Sequence, residues 1–528
     1  MHKVDLSKPA SRTLPALLRE QAYQNPDTLY LVTDSQRLTF GQVYELCLRL
    51  ASKMEADGIQ RGDHVGLFMH NSVEMVIAAL AANMLGAIWI PLNTDYRGDW
   101  LRDSLTRSRP KLLFLSSDLE SRVSQALPEP APKTVCLDDP EVWTAWTQPE
   151  PIQVDYSSFD CGDTCSVLWT SGTTGKSKGV LLSHNCWLRP IDRGTSWFYQ
   201  SEPGDVIYNV LPMFHAGAWN TSVLRALVEG ITVVLEQGFS VNQFWERIDH
   251  FGATQSFTLG AMHMFLWNAP PQADDASHSL RILQAIPMPS QLATPFSERF
   301  GLKLAGSGYG QSECMMITTE ANAGRPIPEN SIGFACSDTD IAIFGDDDAE
   351  LPLGEVGEIR IRPLEPNIIC NGYLDDEEAS QAAWRGQWFC TGDLGYVDEN
   401  GAFFFSDRKK DSVRFAGRNI STMEVESVVR QHPAVKDVAA FGIPSKQMAS
   451  EDELMIAIVL HENSSVDHAS IAAYINDNAP YYFVPRYMEF VDSLPYTPTN
   501  KVQKFILRQK GISELTWDLK KSDYQVKR

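Results

Sequence analysis

The sequence has little that would place the protein in an oxidising compartment or in a membrane. Its nine cysteines show neither disulfide-like nor zinc-like spacing, so a reduced, cytoplasmic protein is expected. The N-terminal residues lack the apolar core of a secretory signal, and the last three residues are not a peroxisomal signal. One apolar stretch, residues 75–92, contains Asn83, Gly86 and Pro91, which favours a buried helix and strand over a membrane span.

Positive charge is also scarce. The chain has 45 Lys and Arg against 67 Asp and Glu, a net charge of -22, which argues against nucleic acid or an anionic membrane as a partner. An anionic ligand would therefore need a locally positive site or one lined with backbone N–H groups. The sequence shows no repeats or low-complexity tract, and 528 residues with 43% hydrophobic side chains are enough for several domains.

The first part of the chain alternates helical and strand patterns. Thr39 and Gln42 form a capping box before a helix that begins at Phe40, and Ser240 with Gln243 is predicted to cap another. Further elements are predicted at residues 64–69, 87–91, 111–115, 206–210 and 231–235 (strands) and at 73–85 and 100–107 (helices). This alternation predicts parallel sheets covered by helices.

The pattern changes towards the C-terminus. Residues 329–405 have short strands with Gly-rich turns, residues 406–411 are polar and typical of a linker, and the rest resembles a small α+β domain. That last part has predicted helices at 423–431 and 469–476 and strands at 435–441, 454–460 and 488–491. The predicted fold class is α/β: a large N-terminal domain (1–407) of helix-covered sheets with the β-rich subdomain, a hinge (408–411) and a mobile α+β domain (412–528).

A loop rich in glycine, hydroxyl groups and lysine is the most informative segment. Glycines let backbone N–H groups approach phosphate oxygens, and hydroxyls and lysines add donors and charge. Apolar runs on both sides predict that the loop joins two strands. A Walker A loop is rejected, because Thr170 stands where its first glycine should be and no helix pattern follows. The predicted phosphate-binding residues are Thr170, Ser171, Gly172, Thr173, Thr174, Gly175 and Lys178.

This loop resembles the signature T-S-G-T-T-G-x-P-K-G of the adenylate-forming superfamily, which contains acyl-CoA synthetases, luciferases and peptide-synthetase adenylation domains. Ser177 replaces the proline. The resemblance extends over residues 38–504. Within the superfamily the sequence looks most like the branch of crotonobetaine/carnitine-CoA ligases, notably at residues 484–508.

Further motifs occur in the order that this superfamily has. Residues 309–313 resemble Y-G-x-T-E, which implies that Tyr309 and Gly310 contact adenine, that Ser312 bonds a phosphate and that Glu313 binds Mg²⁺. Ser307 stands where an amide often binds the adenine amino group. The resemblance also implies that Gln284-Ala285-Ile286-Pro287 forms the adenine pocket segment.

The C-terminal motifs imply a two-state enzyme. Asp393 and Arg408 match residues that bind the ribose, with Asp407 in place of a glycine, and the hinge residue falls at Lys410. Gly417, with Arg414 nearby, matches the glycine that lines the pantetheine tunnel. Lys501 in P-T-N-K-V-Q-K matches the catalytic lysine, whose ammonium offsets the repulsion between carboxylate and α-phosphate. Asn500 replaces a glycine there, and Lys504 is expected to be a solvated lysine.

The acyl pocket is predicted from the same resemblance. His215 stands at the gate beside the acyl site, where amino-acid-activating domains carry an aspartate, so an α-amino acid substrate is disfavoured. Trp219 would shorten the tunnel, which favours a short or compact acid. The remaining predicted pocket residues are Asn220, Thr258, Gly260, Ala285 and Cys314.

Taken together, the resemblance implies an AMP-forming acid–thiol ligase that uses ATP, Mg²⁺ and coenzyme A to convert a small carboxylic acid into an acyl-adenylate and then a thioester. Two alternatives stay open: a stand-alone adenylation enzyme that loads a carrier-protein phosphopantetheine, and a non-catalytic ATP-binding relative. The acid itself, the acceptor, the pathway and the oligomeric state, a homodimer included, are left open by the sequence.

Overall fold

The computed structural model describes most of the chain, and the chain divides into two compact units. The structure describes residues 4, 6, 12–170, 177–306, 308–319, 327–409, 413–415, 418–445, 452–462, 464–496 and 502–527. Unit 1 is Met1–Ser171, Ser177–Asp340 and Arg362–Trp388, and unit 2 is Gly172–Lys176, Ile341–Ile361 and Phe389–Arg528.

Strands and helices alternate through most of the described residues. The strands are β1 (Leu29–Val32), β2 (Arg37–Thr39), β3 (His64–Phe68), β4 (Ile88–Pro91), β5 (Leu112–Leu115), β6 (Lys133–Cys136), β7 (Thr164–Thr170), β8 (Lys178–Ser183), β9 (Val206–Asn209), β10 (Thr232–Leu235), β11 (Gln255–Leu259), β12 (Ile282–Ile286), β13 (Lys303–Ala305), β14 (Thr318–Thr319), β15 (Phe334–Ala335), β16 (Thr339–Phe344), β17 (Gly357–Pro363), β18 (Trp384–Arg385), β19 (Trp388–Val397), β20 (Phe403–Arg408), β21 (Val413–Phe415), β22 (Arg418–Ile420), β23 (Val435–Pro444), β24 (Asp452–Leu460), β25 (Tyr487–Phe490) and β26 (Trp517–Asp518).

The helices follow the same chain order. They are α1 (Leu14–Gln24), α2 (Phe40–Ala56), α3 (Val73–Met84), α4 (Gly98–Ser108), α5 (Glu120–Ser124), α6 (Pro140–Thr147), α7 (His184–Gly194), α8 (Ala216–Ala218), α9 (Leu224–Glu229), α10 (Phe244–Phe251), α11 (Ala261–Asn268), α12 (Ser290–Phe300), α13 (Glu377–Ala382), α14 (Thr422–Arg430), α15 (His468–Asn478) and α16 (Lys504–Lys510). Two π-helical turns, Thr195–Tyr199 and Trp219–Val223, adjoin α7 and α9.

Two large sheets organise unit 1. One has the strand order β6-β5-β3-β4-β7-β8, and the other has the order β13-β12-β11-β9-β10-β1-β2. All neighbouring strands run parallel except the edge pairs β7–β8 and β1–β2. Helices connect the parallel strands and bury both faces of the sheets, which explains the continuous apolar runs in the sequence. The predicted α/β architecture is confirmed.

Local sequence signals predicted one of two helix caps correctly. Thr39 and Gln42 form the full capping box at α2. The other predicted cap is wrong: α10 begins at Phe244 with Gln243 as its N-cap and no side-chain capping bond, because the chain makes a turn between Ser240 and the helix. Residues 75–92 form α3 and β4, and no helix in the described part of the chain is long and apolar enough to cross a membrane.

Unit 2 contains smaller sheets. Strands β17, β19 and β20 pair antiparallel, and β23-β24-β25-β26 form a four-stranded sheet on which α14 and α15 pack. Residues 406–408 belong to β20, so the prediction of a linker beginning at residue 406 is wrong. Pairing with β19 orders them. Because β17, β19 and β20 group with the C-terminal residues, the two compact units do not divide at residue 407, and the functional boundary there stays a prediction.

A buried histidine in unit 1 gives a pH-dependent prediction. The backbone N–H of Leu14 donates to Nδ1 of His184 at 3.3 Å, and burial lowers the pKa of His184 to about 4. The folded protein therefore holds this imidazole neutral, whereas an unfolded chain protonates it below about pH 6.5. The contribution of His184 is present above that pH and is lost as the pH falls towards 4, by up to about 3 kcal/mol.

We expect His184→Asn, which keeps an acceptor near the Nδ1 position, to flatten this pH dependence. Urea unfolding of both proteins at pH 7 and pH 4.5 measures it. The wild type should lose more stability than the variant between the two pH values. Equal losses would show that His184 is not protonated on unfolding in this range.

Candidate active site

The predicted phosphate loop connects β7 and β8, the antiparallel pair at one edge of the six-stranded sheet. β7 ends at Thr170, and Thr170 pairs with Lys178, where β8 begins. The Thr170 hydroxyl donates to the Lys178 carbonyl at 3.3 Å, which closes the base of the hairpin. A strand, and not a helix, follows the loop, so the rejection of a Walker A motif is confirmed.

Three side chains from distant parts of unit 1 meet beside this hairpin. The Lys178 ammonium lies 4.6 Å from the ring centroid of Tyr373, and the Tyr373 hydroxyl donates to Oε1 of Glu313 at 3.1 Å. Burial and the Glu313 charge raise the pKa of Tyr373, so its hydroxyl stays protonated and remains a donor. The arrangement places a cation and an oriented carboxylate next to the base of the loop. Nothing in the local sequence marked Tyr373, because its role depends on tertiary contact alone.

A second cation flanks the hairpin. Nη1 of Arg107 donates to the Ser177 hydroxyl at 3.3 Å, and the guanidinium lies 4.5 Å from the ring centroid of Trp169 in β7. The Trp169 indole in turn donates to the Ser108 hydroxyl at 2.9 Å. Arg107 and Lys178 therefore bring two cationic side chains to the base of the hairpin, and Arg107 also pairs with Asp103 at 3.6 Å.

Residues 309–313 form a tight turn in which one glycine is required by crowding. A Cβ on Gly310 would lie 2.9 Å from the Cys314 carbonyl oxygen and still closer to the Met316 nitrogen. The turn is closed by reciprocal backbone bonds between Gln311 and Cys314, both 3.1 Å. Tyr309 is 9% exposed, and Ser312 and Glu313 are partly exposed in the same turn. The fold therefore brings the predicted Tyr309, Gly310, Ser312 and Glu313 into one small loop.

A buried ion network supports this turn from behind. Arg189 donates to the carbonyl oxygens of Met315 (2.8 Å) and Met316 (2.5 Å) and pairs with the fully buried Asp338. Arg193 donates to the same carboxylate at 2.8 Å. Burial alone would raise the pKa of Asp338, but the bonds and charges of both arginines hold it well below its usual range. Arg189, Arg193 and Asp338 carry no local sequence signal, because buried charges far apart in the chain are recognisable only once they meet in the fold.

The two π-helical turns contact each other in the predicted acyl region. The Tyr199 hydroxyl donates to Oδ1 of Asn220 at 3.3 Å, and the Asn220 amide donates to the Trp187 carbonyl at 3.1 Å. The Trp219 indole donates to the Met213 carbonyl at 2.6 Å, and its ring lies 4.4 Å from that of Trp89. π-Helical turns often occur at functional sites. Trp219 is fully buried and held by these two contacts, and its role as a limit of the tunnel stays a prediction.

The other predicted acyl residues lie on adjacent strand ends. Thr258 pairs with Ala285 across β11 and β12, and Gly260 follows at the N-cap of α11 with φ of 50°. The Thr258 hydroxyl lies 3.3 Å from Nδ1 of His263 and is buried. His215 precedes α8, and its ring lies 4.5 Å from that of Phe214. Thr258, Trp219 and Cys314 have no exposed surface, so their direct contact with an acid stays a prediction.

Unit 2 brings together the two predicted ribose-binding residues. Asp393 in β19 lies directly opposite Arg408 in β20, and Nε of Arg408 is 3.7 Å from Oδ1 of Asp393. The Thr391 hydroxyl accepts from the Asp393 N–H at 3.1 Å. Asp393 is 3% exposed, and its role in binding ribose stays a prediction. Fourteen residues lie between Asp393 and Arg408 in the sequence, and the two meet because β19 and β20 pair antiparallel.

Several predicted site residues lie outside the described residues. They are Ser171, Gly172, Thr173, Thr174, Gly175, Ser307, Lys410, Gly417 and Lys501. Arg414 lies in β21 opposite Asn419, and its side chain is also outside the described part. The roles of all these residues remain predictions.

Lys504 differs from expectation. It was predicted to be a solvated lysine, but its side chain is 13% exposed and lies 2.8 Å from Oε1 of Glu426. It also donates to the Thr422 hydroxyl at 2.7 Å. The helix α16 begins at this residue and packs on the sheet of unit 2, which buries the ammonium beside two acceptors.

Comparison with known proteins agrees with the geometry. The chain is 29% identical over 86% of its length to a crotonobetaine/carnitine–CoA ligase of Escherichia coli O157:H7 (strain EC4115 / EHEC), 90% of which is covered. It is 28% identical over 89% of its length to a protein of the same name from Salmonella paratyphi B, with 92% coverage.

Solved structures share the fold over nearly the whole chain. ATP-bound MatB from Rhodopseudomonas palustris has a TM-score of 0.83 at 23% identity, covering 94% of this chain and 98% of that one. O-succinylbenzoate coenzyme A synthetase from Bacillus subtilis, in complex with AMP, has a TM-score of 0.81 at 26% identity, covering 95% and 99%.

Family models cover both parts of the chain. The model described as AMP-binding enzyme matches residues 18–374, and the model described as AMP-binding enzyme C-terminal domain matches residues 424–501. The first match alone spans more than half of the 528 residues and includes the β7–β8 hairpin, the Tyr309–Glu313 turn and Tyr373. The chain therefore belongs to the AMP-binding enzyme family.

Proposed function

We propose that the protein is an ATP-dependent acyl-CoA ligase that acts on a small carboxylic acid. The observation that carries the proposal is the meeting of Lys178, Tyr373 and Glu313 beside the β7–β8 hairpin. A cation and an oriented carboxylate at the base of a Gly- and hydroxyl-rich loop suit a nucleoside triphosphate and its magnesium ion. Relatives named as CoA ligases support coenzyme A as the acceptor.

The reaction runs in two half-reactions. In the first, a carboxylate oxygen attacks the α-phosphorus of ATP, the bond from that phosphorus to the bridging oxygen breaks, and pyrophosphate leaves. In the second, the sulfur of coenzyme A attacks the acyl carbon, the bond to the AMP oxygen breaks, and the thiol proton is released to solvent. AMP is a far better leaving group than hydroxide, which explains the use of an adenylate.

The chain's own residues would contribute charge and orientation. Lys178 and Arg107 would offset phosphate charge, and Tyr373 would hold the Glu313 carboxylate in place. Magnesium, when bound, would neutralise phosphate charge, and it commonly uses one or two protein carboxylates together with substrate phosphates, which fits Glu313. Asp393 and Arg408 would bind the ribose hydroxyls, and Lys501 would contact both carboxylate and α-phosphate.

A small substrate is supported by the fixed position of Trp219 between the Met213 carbonyl and Trp89. A rigid indole cannot swing aside for a long chain.

The test is ATP–pyrophosphate exchange with short branched, unsaturated, aromatic, betaine-like and long-chain acids, followed by thioester assay with coenzyme A and with a phosphopantetheinylated carrier protein. If none of the acids supports exchange, the proposed function is wrong. If a thioester forms on the carrier protein and not on coenzyme A, the protein is a carrier-loading enzyme.

We also propose a cytoplasmic location, supported by nine free cysteines, of which Cys47, Cys165 and Cys314 are among the fully buried ones. A homodimer is the oligomeric state to test, by light scattering in solution.

We expect Gly417→Leu to separate the half-reactions. A side chain at this position would block the thiol tunnel that the motif implies, while adenylation would not use the tunnel. ATP–pyrophosphate exchange should stay within about threefold of wild type and thioester formation should fall about a hundredfold or more. Gly238→Leu, at a position with open space around it, is the matched control. Equal loss of both half-reactions would contradict the assignment.

A further inference from the structure

One buried amide links the two large sheets of unit 1 at the carboxyl ends of their strands. Asn71 lies between β3 and α3 and is 6% exposed. Its nitrogen donates to the Leu211 carbonyl at 2.9 Å and to the Glu236 carbonyl at 2.8 Å. Its Oδ1 accepts from the backbone N–H of Met213 at 2.8 Å. Because these partners follow β9 and β10, a side chain from the six-stranded sheet fixes two loops of the seven-stranded sheet.

The three bonds make Asn71 difficult to replace. An amide offers two donors and an acceptor in one plane, and the distances are those of ordinary hydrogen bonds. The donors meet carbonyls and the acceptor meets an N–H, so the partners determine which way the amide faces. Alanine at this position would remove all three bonds from a buried region, which frees the loop after β9 to move.

The loop that Asn71 fixes leads into the predicted acyl pocket. The His215 N–H donates to the Pro212 carbonyl at 3.1 Å, which closes a turn around Met213. The carbonyl of the fully buried Met213 accepts from the Trp219 indole at 2.6 Å. Asn71 therefore binds one side of the Met213 backbone, and Trp219 binds the other.

We propose that Asn71 is a positioning residue that sets the selectivity of the enzyme among carboxylic acids. It acts through Met213, whose turn places His215 and Trp219, and not through contact with the acid. The proposal rests on the proposed acyl-CoA ligase function and on its preference for a small acid. Without the Asn71 bonds, the carbonyl that anchors the Trp219 indole can shift, and the space available to the acid widens. A shift of about 1 Å is enough to change rates a hundredfold.

Acid selectivity in Asn71→Ala tests the proposal. ATP–pyrophosphate exchange is measured with isobutyrate, crotonate, benzoate and decanoate, and selectivity is kcat/KM for the best of the first three divided by kcat/KM for decanoate. We expect this ratio to fall about tenfold, as a change in space of one or two methylenes would produce. The KM for ATP should stay within about twofold, since the turn does not belong to the predicted ATP site. Asn71→Ser, which can keep one donated bond, should lower the ratio less, and it serves as the test if the alanine variant does not fold.

Asn83→Ala is the matched control. Asn83 is also a buried amide of unit 1, and it donates to the carbonyls of Ala87 and Cys165, each at 3.0 Å, away from the turn around Met213. This variant should be destabilised and should keep the wild-type ratio, because a loss of folded enzyme lowers both values of kcat/KM equally. If the Asn71 variants also keep the wild-type ratio, Asn71 is only structural and the proposal is overturned.

A double variant tests the route through Met213. Trp219→Phe keeps an aromatic ring but removes the N–H that binds the Met213 carbonyl. If Asn71 acts through this bond, Asn71→Ala combined with Trp219→Phe should have about the selectivity of Trp219→Phe alone, because residues that share a partner are coupled. Independent, additive changes would overturn the proposal. Failure of the proposed function is a different result, because the wild type would then show no exchange with any acid, and the role of Asn71 would be rejected with it.

Discussion

Replacing Glu313 with glutamine is expected to lower ATP–pyrophosphate exchange about a hundredfold or more with little change in stability. Glutamine keeps the shape and an oxygen that can accept from the Tyr373 hydroxyl, so the contact at 3.1 Å survives. The charge that would bind magnesium is lost, and electrostatic terms of this kind are the largest in phosphoryl chemistry. Exchange assays over a range of Mg²⁺ concentrations measure the effect, and the variant should need more Mg²⁺ for half-maximal rate.

Two further variants sharpen this test. Tyr373→Phe removes only the bond that orients the carboxylate and should cost about tenfold, as partners of metal ligands commonly do. Glu350→Gln changes an exposed carboxylate of unit 2 and should leave the rate and its Mg²⁺ dependence unchanged. Wild-type exchange and Mg²⁺ dependence in Glu313→Gln would exclude Glu313 as the magnesium ligand.

The sequence predicted those parts of the fold that depend on local pattern. The helix that starts at the Thr39 cap and the buried strands β3, β4 and β5 follow from apolar periodicity over a few residues. Residues 406–408 were mistaken for a linker because they are polar. They are ordered by pairing with β19, and the Asp407 carboxylate is buried because Thr422 supplies its partners. Pairing between segments far apart in the chain overrides local composition.

The same distinction applies to the site. Motif resemblance pointed to Asp393, Arg408, Tyr309 and Glu313, and the structure brings the first two together in one sheet and the last two in one turn. The motifs did not indicate Tyr373 or the Arg189–Asp338 pair, because each of these residues acts through a partner that is distant in sequence. Their function lies in orientation, which a motif of reacting residues does not encode.

Gly310→Ala is expected to lower exchange about a hundredfold or more. The new Cβ would lie 2.9 Å from the Cys314 carbonyl oxygen and closer to the Met316 nitrogen, both of them backbone atoms that cannot turn away. Arg189 holds the Met315 and Met316 carbonyls, so the crowded segment cannot yield without disturbing a buried ion pair. The turn that carries Tyr309 and Glu313 must shift instead, and a shift of about 1 Å is enough to cost a hundredfold.

Alanine substitutions at three glycines should have graded effects, because the space around each glycine differs. A Cβ on Gly308 would lie 3.3 Å from the Trp197 ring edge, which can give way slightly, so Gly308→Ala should cost less than Gly310→Ala. Gly238 has open space, and Gly238→Ala should match wild type. Exchange rates and melting temperatures of the three variants give the order. The crowding atoms at Gly310 belong to the backbone of Cys314, Met315 and Met316. Arg189→Met should fail to restore the Gly310→Ala variant, because it leaves the new methyl group in place and removes the partner of the buried Asp338. Recovery of exchange in that double variant would show that the ion pair, and not the turn itself, limits the loop.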